Sequence, residues 1–193
     1  DGENQLNDSW TTIKDGRSQI ADGKLEIIKG RQEIEEGRKA LEDARTELEE
    51  GQKEIAEKII EKEADYILQV KGNQETLRED ITLYFEKELF TRNKKELERE
   101  KQYYKEVCFE HGRQEIREYY VENNICWLKE NHSGWKGMRG IGACISTVTE
   151  HGKTTTSISY SIYSRAGMDA EEYGKSKRAH WGIENSLHWV LDI

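Results

Sequence analysis

Apolar side chains recur every seven residues along the start of the chain: Leu6, Ile13, Ile20, Ile27, Ile34, Leu41, Leu48 and Ile55. Three positions after each of the first seven comes a small residue: Ser9, then Gly16, Gly23, Gly30, Gly37, Ala44 and Gly51. In heptad terms, row a is Ile or Leu and row d is Gly or Ala. Eight heptads in register predict one long helix. A strict seven-residue period implies a left-handed supercoil. Each glycine costs a helix ~1 kcal/mol relative to Ala, so five cost ~5 kcal/mol. Close approach of another helix would offset that cost. The pattern describes either a helix that pairs with a partner or with itself, or a solvated helix that frays alone. On both readings its Glu, Lys and Arg residues form exposed faces.

The pattern changes near Gln52. Ile55, Ile59, Ile60 and Ala64 carry a helix to about Glu63. Residues 65–71 (DYILQVK) are a short run rich in β formers, bounded by Gly72 and Asn73. They predict a buried strand entering a turn. Residues 76–89 are helical, with Leu77, Ile81, Tyr84 and Phe85 on one face. Residues 109–121 alternate as a strand, with His111, Arg113, Glu115 and Arg117 on one side. Residues 124–128 read as another short strand. Residues 141–150 and 153–163 flank His151 and Gly152, a hairpin turn. Ile158, Tyr160 and Ile162 alternate with Ser157, Ser159 and Ser161, marking a half-buried strand. Asp169 opens a final helix. The order predicts a mixed α/β unit with a β-rich insertion.

Residues 1–54 resemble the glycine-punctuated coils of bacterial permease-type membrane proteins. No apolar run here approaches the ~20 residues that cross a bilayer. No signal peptide opens the chain, and a cytoplasmic protein without membrane contact is expected. Because the first residue is Asp1 rather than Met, a piece of something longer is also expected.

Composition sharpens this division. Of 193 residues, 34% are hydrophobic and 36% charged, too polar for one compact ball. The net charge of -9 is uneven. Residues 1–60 hold 16 acids and 10 bases, whereas residues 123–193 hold 7 acids and 8 bases. Global acidity argues against non-specific nucleic-acid binding, yet it leaves room for a local basic groove. Cys108, Cys126 and Cys144 lack CxxC spacing. They read as reduced thiols rather than a zinc site.

Candidate chemistry lies at the C-terminal end. On a helix, Ile183, Leu187, Val190 and Leu191 form an apolar stripe, and His180, Glu184 and His188 fall four apart on another face. One metal held by all three is disfavoured, since the two histidines stand ~12 Å apart along the axis. Packing of His and Trp against a sheet is the simpler reading of the spacing alone. Lys175, Lys177 and Arg178 make a small basic cluster just upstream.

Residues 178–192 (RAHWGIENSLHWVLD) resemble the C-terminal motif of DDE transposases of bacterial insertion sequences, the group that includes the H-repeat-associated proteins. Residues 65–74 (DYILQVKGNQ), 111–117 (HGRQEIR) and 135–142 (WKGMRGIG) fit the same group in the same order. The resemblance covers about residues 52–193. It implies a ribonuclease-H-like fold and DNA as partner, cleaved and joined at the ends of a mobile element. It also implies three carboxylates holding two divalent cations, Mg²⁺ or Mn²⁺, for an in-line phosphoryl displacement. On this resemblance Glu184 is the third carboxylate and a metal ligand. Lys71, Gln74, Arg178 and His180 face substrate phosphate, Arg113 and Arg117 touch DNA backbone, and Lys175 and Lys177 add positive charge.

The chain departs from that family before Gln52. The second aspartate belongs at a strand end there, but residues 45–51 (RTELEEG) continue the heptads. Glu47 is acidic but stands in the expected helix, so it takes no catalytic role. Residues 1–54 are expected to be a glycine-heptad coil and residues 55–193 the C-terminal part of a DDE transposase domain, joined as a fusion. One carboxylate of three cannot hold two cations that each want several oxygen ligands, so loss of transposition activity is expected. The alternatives are a non-enzymatic coiled-coil interaction protein and a protein that binds DNA without cleaving it.

Overall fold

The structure is a computed structural model that describes residues 2–110 and 112–179. The chain divides into two compact units, residues 1–47 and 48–193. No described helix is long and apolar enough to cross a membrane.

The heptad segment forms helix α1, Gly2–Glu61. Among the described residues its row a finds no cover: the eight Leu and Ile side chains of that row are 51–64% exposed. A Cβ added at Gly16, Gly23, Gly30, Gly37 or Gly51 would meet nothing within 4 Å. The polar face is conventional. Ser9, Thr11, Thr12 and Thr46 return hydroxyl hydrogen bonds to carbonyls four residues back, and Arg45 pairs with Glu42 at 3.8 Å.

The second unit begins with the last turns of α1. There Ala56 is fully buried, and Ile59 and Ile60 pack against the core. Strand β1, Ile67–Val70, leads to α2, Glu75–Tyr84, which widens into a π turn at Phe85–Leu89. Helix α3, Lys94–Arg99, starts where the Asn93 side chain accepts a hydrogen bond from the Lys95 N–H. Strands β2, Tyr103–Glu110, and β3, Arg113–Glu122, form a hairpin. Helix α4, Cys126–Asn131, precedes a second hairpin of β4, Gly140–Glu150, and β5, Lys153–Tyr163. Residues 170–179 form helix α5, capped by Asp169, whose carboxylate accepts from the Glu172 N–H at 2.8 Å.

The five strands make one sheet in the order β1-β5-β4-β3-β2, and all four pairings are antiparallel. Strand alternation gives each face its own core. On one face Val70, Tyr120, Ile141, Ala143, Tyr160 and Ile162 meet Leu77, Ile81 and Phe85 of the α2 arm. On the other, Tyr119, Val121, Cys144 and Tyr163 meet Met168, Ala170 and Tyr173 at the α5 end. This second face is closely fitted. A Cβ at Gly142 would stand 2.5 Å from the Tyr173 ring, and a Cβ at Gly140 would collide with Tyr163.

Two expectations are corrected. The run 109–121 is not one strand, because the chain reverses at Gly112, whose φ of 79° suits a tight turn. Residues 124–128 are not a strand but enter α4. Ile125 and Leu128, three apart, both face the core there, which a helical turn permits and a strand does not. The hairpin at His151 and Gly152 stands as expected, with both residues at positive φ (47° and 74°).

Candidate functional site

Charged and hydroxyl groups gather on the sheet face that carries α5. Register places Glu106, Arg117, Ser146 and Ser157 on one rung, and Tyr104, Tyr119, Cys144 and Ser159 on the next. Arg117 reaches Glu115 at 2.6 Å, and the Ser146 hydroxyl donates to the same carboxylate at 3.1 Å. Arg113 approaches the other oxygen of Glu115 at 3.9 Å. From α5, Arg178 faces Glu106 at 3.6 Å. Lys177 donates to Ser159 at 3.1 Å and Ser161 at 3.4 Å, and lies 5.8 Å from the centre of the Tyr173 ring.

Burial governs the titration of this face. It holds the Lys177 ammonium below its ordinary 10.5, and it pushes the Cys144 thiol up to about 11. A lysine whose folded pKa is depressed releases its proton from the folded chain first. Stability therefore rises as pH climbs from the folded pKa toward 10.5. Lys177→Met is expected to raise stability at neutral pH and to flatten that rise, measured as urea midpoints between pH 7 and 10.

The structure brings Arg117, Lys177 and Arg178 together and sets Arg113 beyond them on the same face. Lys175 is exposed and pairs with Glu171 at 2.8 Å. Lys71 and Gln74 belong to the turn after β1, the strand at the opposite edge of the sheet from β2. Lys71 is exposed. Gln74 is buried; its carbonyl oxygen accepts from the Lys71 N–H at 3.0 Å, and its amide donates to Gln52. It ties α1 to the turn. His180 and Glu184 lie outside the described residues.

Of the acids that receive these cations, Glu115 already falls beside Arg113 and Arg117 in the strand alternation, whereas Glu106 is a partner that the sequence alone does not assign. Strand alternation through β2 and β3 carries that signal, and it is legible only once the hairpin is placed. A shallow recess of about 380 Å³ is another feature, formed in part by the run 135–142. It is lined by Lys129, His132, Trp135, Met138 and Arg139, with His132 held by Asp80 at 2.8 Å.

Among the described residues, no group of three His, Cys, Asp or Glu side chains could hold a metal ion. Glu115 is held by Arg113 and Arg117, and Glu106 faces Arg178. The described residues therefore do not fit a two-cation centre.

A family model described as the transposase DDE domain matches residues 50–193. The "Putative transposase YncI" of Escherichia coli O157:H7 is 36% identical over 141 residues, covering 72% of this chain and 35% of that protein. The "H repeat-associated putative transposase YhhI" of Escherichia coli (strain K12) is 32% identical over 142 residues, covering 72% of this chain and 36% of that protein. The chain thus spans little more than a third of the length of these relatives. No solved structure matches. With three quarters of its length inside one family model, the chain belongs to the transposase DDE domain family.

Proposed function

We propose that residues 55–193 are the C-terminal part of a ribonuclease-H-like DDE transposase domain, and that residues 1–54 are a coiled-coil segment joined to it. The family's chemistry is DNA strand transfer assisted by Mg²⁺ or Mn²⁺. Glu184 is the third carboxylate of that centre. The 193 residues by themselves do not perform the reaction. One observation carries this reading: the ground before Gly51, where the family places a strand ending in an aspartate, is continuous helix α1. Glu47 rides on that helix and is exposed.

What remains is weak contact with DNA backbone. Arg113 and Arg117 share Glu115, Arg178 faces Glu106, and Lys175 faces Glu171. Each must exchange an intramolecular carboxylate for a phosphate, so affinity is low and falls with salt. Lys71, exposed at the far edge of the sheet, is the contact that gives up least. A cytoplasmic setting accords with such a role.

The purified chain is expected to show no Mg²⁺- or Mn²⁺-dependent nicking of supercoiled DNA. Its duplex binding is expected to weaken steeply between low and physiological salt, and Lys71→Ala to weaken it further. Nicking that disappears in Glu184→Gln would overturn the proposal.

A second reading rests on row a of α1. Eight exposed apolar side chains in strict heptad register support α1 as one strand of a coiled coil, a protein-interaction element independent of DNA.

A further inference from the structure

Two rows flank the apolar seam of α1, and their charges are segregated. The row next to the glycines holds Arg17, Lys24, Arg31, Arg38 and Arg45; the row next to Ile and Leu holds Glu26, Glu33, Glu47 and Glu54. These are the e and g positions that set partner choice and direction. In a parallel pair, g of one helix meets e of the other five residues on. Glu26 then faces Arg31, and Glu33 faces Arg38, on both sides of a two-fold axis. In an antiparallel pair of identical helices, e faces e and g faces g, so five cations would confront five cations and the acids one another.

We infer that α1 pairs with α1 of a second copy of this chain, parallel and in register, with Glu26 and Glu33 meeting Arg31 and Arg38 of the copy. The inference rests on the reading of α1 as a coiled-coil strand and adds its partner and direction. The seam is open to receive that copy: row a is more than half exposed along its length, and nothing lies within 4 Å of a Cβ at any of the row-d glycines. Alternation of Ile and Gly would also suit an antiparallel fit, each isoleucine against a glycine. The parallel arrangement instead brings the glycine rows of the two copies together, while row a meets row a. Charge then decides the direction, because only the parallel pair converts both flanking rows from repulsive to attractive.

Sedimentation equilibrium of the full chain tests this. The expected result is a dimer of the 22.6 kDa chain. Ile27→Asp with Ile34→Asp is expected to give a monomer whose near-ultraviolet dichroism, reporting the sheet unit, is unchanged. Glu26→Lys with Glu33→Lys is expected to weaken the dimer about tenfold or more. Adding Arg31→Glu and Arg38→Glu to that variant is expected to restore it, since Lys at 26 and 33 then meets Glu at 31 and 38 of the copy. A monomeric wild-type chain overturns the coiled-coil reading itself. A dimer that survives the two aspartates, or a larger assembly, overturns the pairing through α1. A dimer indifferent to Glu26→Lys with Glu33→Lys, or one the four-site swap fails to restore, overturns the parallel direction while leaving the coil.

Discussion

Between pH 10 and pH 12 the sheet unit is expected to unfold cooperatively, driven by its tyrosines. Burial raises the pKa of Tyr119, Tyr163 and Tyr173 well above their ordinary 10.0. All three are within 1% of complete burial. Tyr173 donates its hydroxyl hydrogen bond to Ser161 at 3.1 Å, and Tyr163 donates to the Glu122 carbonyl at 3.2 Å. A phenolate could neither donate these bonds nor be solvated in that core. Because the folded pKa lies above the unfolded one, the stability these groups confer is complete below pH 10. It is lost as the unfolded chain ionises and the folded chain does not. Each tyrosine then costs about 1.4 kcal/mol per pH unit, and the three together about 4 kcal/mol per unit. Two units of pH remove about 8 kcal/mol, comparable to the whole stability of an ordinary domain. Tyrosinate absorbance should appear in one step with loss of near-ultraviolet dichroism. In Tyr173→Phe the fall of urea midpoint with pH should be shallower, because one of the three groups no longer titrates. Tyrosinate forming gradually, well ahead of unfolding, would show that the α5 face is wet.

The same face shows what can be read from sequence and what cannot. Ile158, Tyr160 and Ile162 alternate with serines, and β5 lies where that alternation puts it. A strand's period of two survives almost any context. The dipeptide His-Gly occurs twice, at 111–112 and 151–152. At the second site the flanking strands are evident and the turn follows. At the first the preceding residues are too charged to suggest a strand, so the turn is absorbed into one long run. Yet β2 carries Tyr103, Val107 and Phe109 on one side and Tyr104 and Glu106 on the other, a pattern that only its pairing with β3 makes meaningful. Without that pairing, Glu106 stays hidden as the counter-charge of Arg178. Local pattern supplies residue types on a face. Cross-strand register supplies partners, and no single segment encodes it. The buried amide of Gln74 makes the same point from the opposite edge. Its place in a family-like motif suggests substrate, while one of its contacts closes its own turn at Lys71 and the other, to Gln52, comes from a segment it meets only after folding.

Phe85→Ala is expected to cost the sheet unit about 3–5 kcal/mol. Phe85 is completely buried where α2 widens into the π turn. Its ring stands 5.7 Å from that of Tyr160 on β5 and 5.5 Å from Phe90, with Tyr84 edge-on at 6.1 Å. It therefore joins the helical arm to β5, where Tyr160 is itself fixed by pairing with β1 and β4. Such walls cannot collapse into the space a ring leaves, which puts the cost toward the upper end for a phenylalanine deletion. Two more effects point the same way: the aromatic contacts are lost, and the wider π turn loses the ring that fills it. Leu83→Ala, two residues away, is the control, because Leu83 is half exposed and its truncation should cost no more than about 0.5 kcal/mol. Urea unfolding followed by near-ultraviolet dichroism separates the two, since that signal reports packed aromatic rings rather than the helicity of α1. Equal midpoints for the two variants would mean that the α2 arm is not seated on the sheet. A large loss confined to Phe85→Ala would fix this ring as the contact that closes one face of the domain.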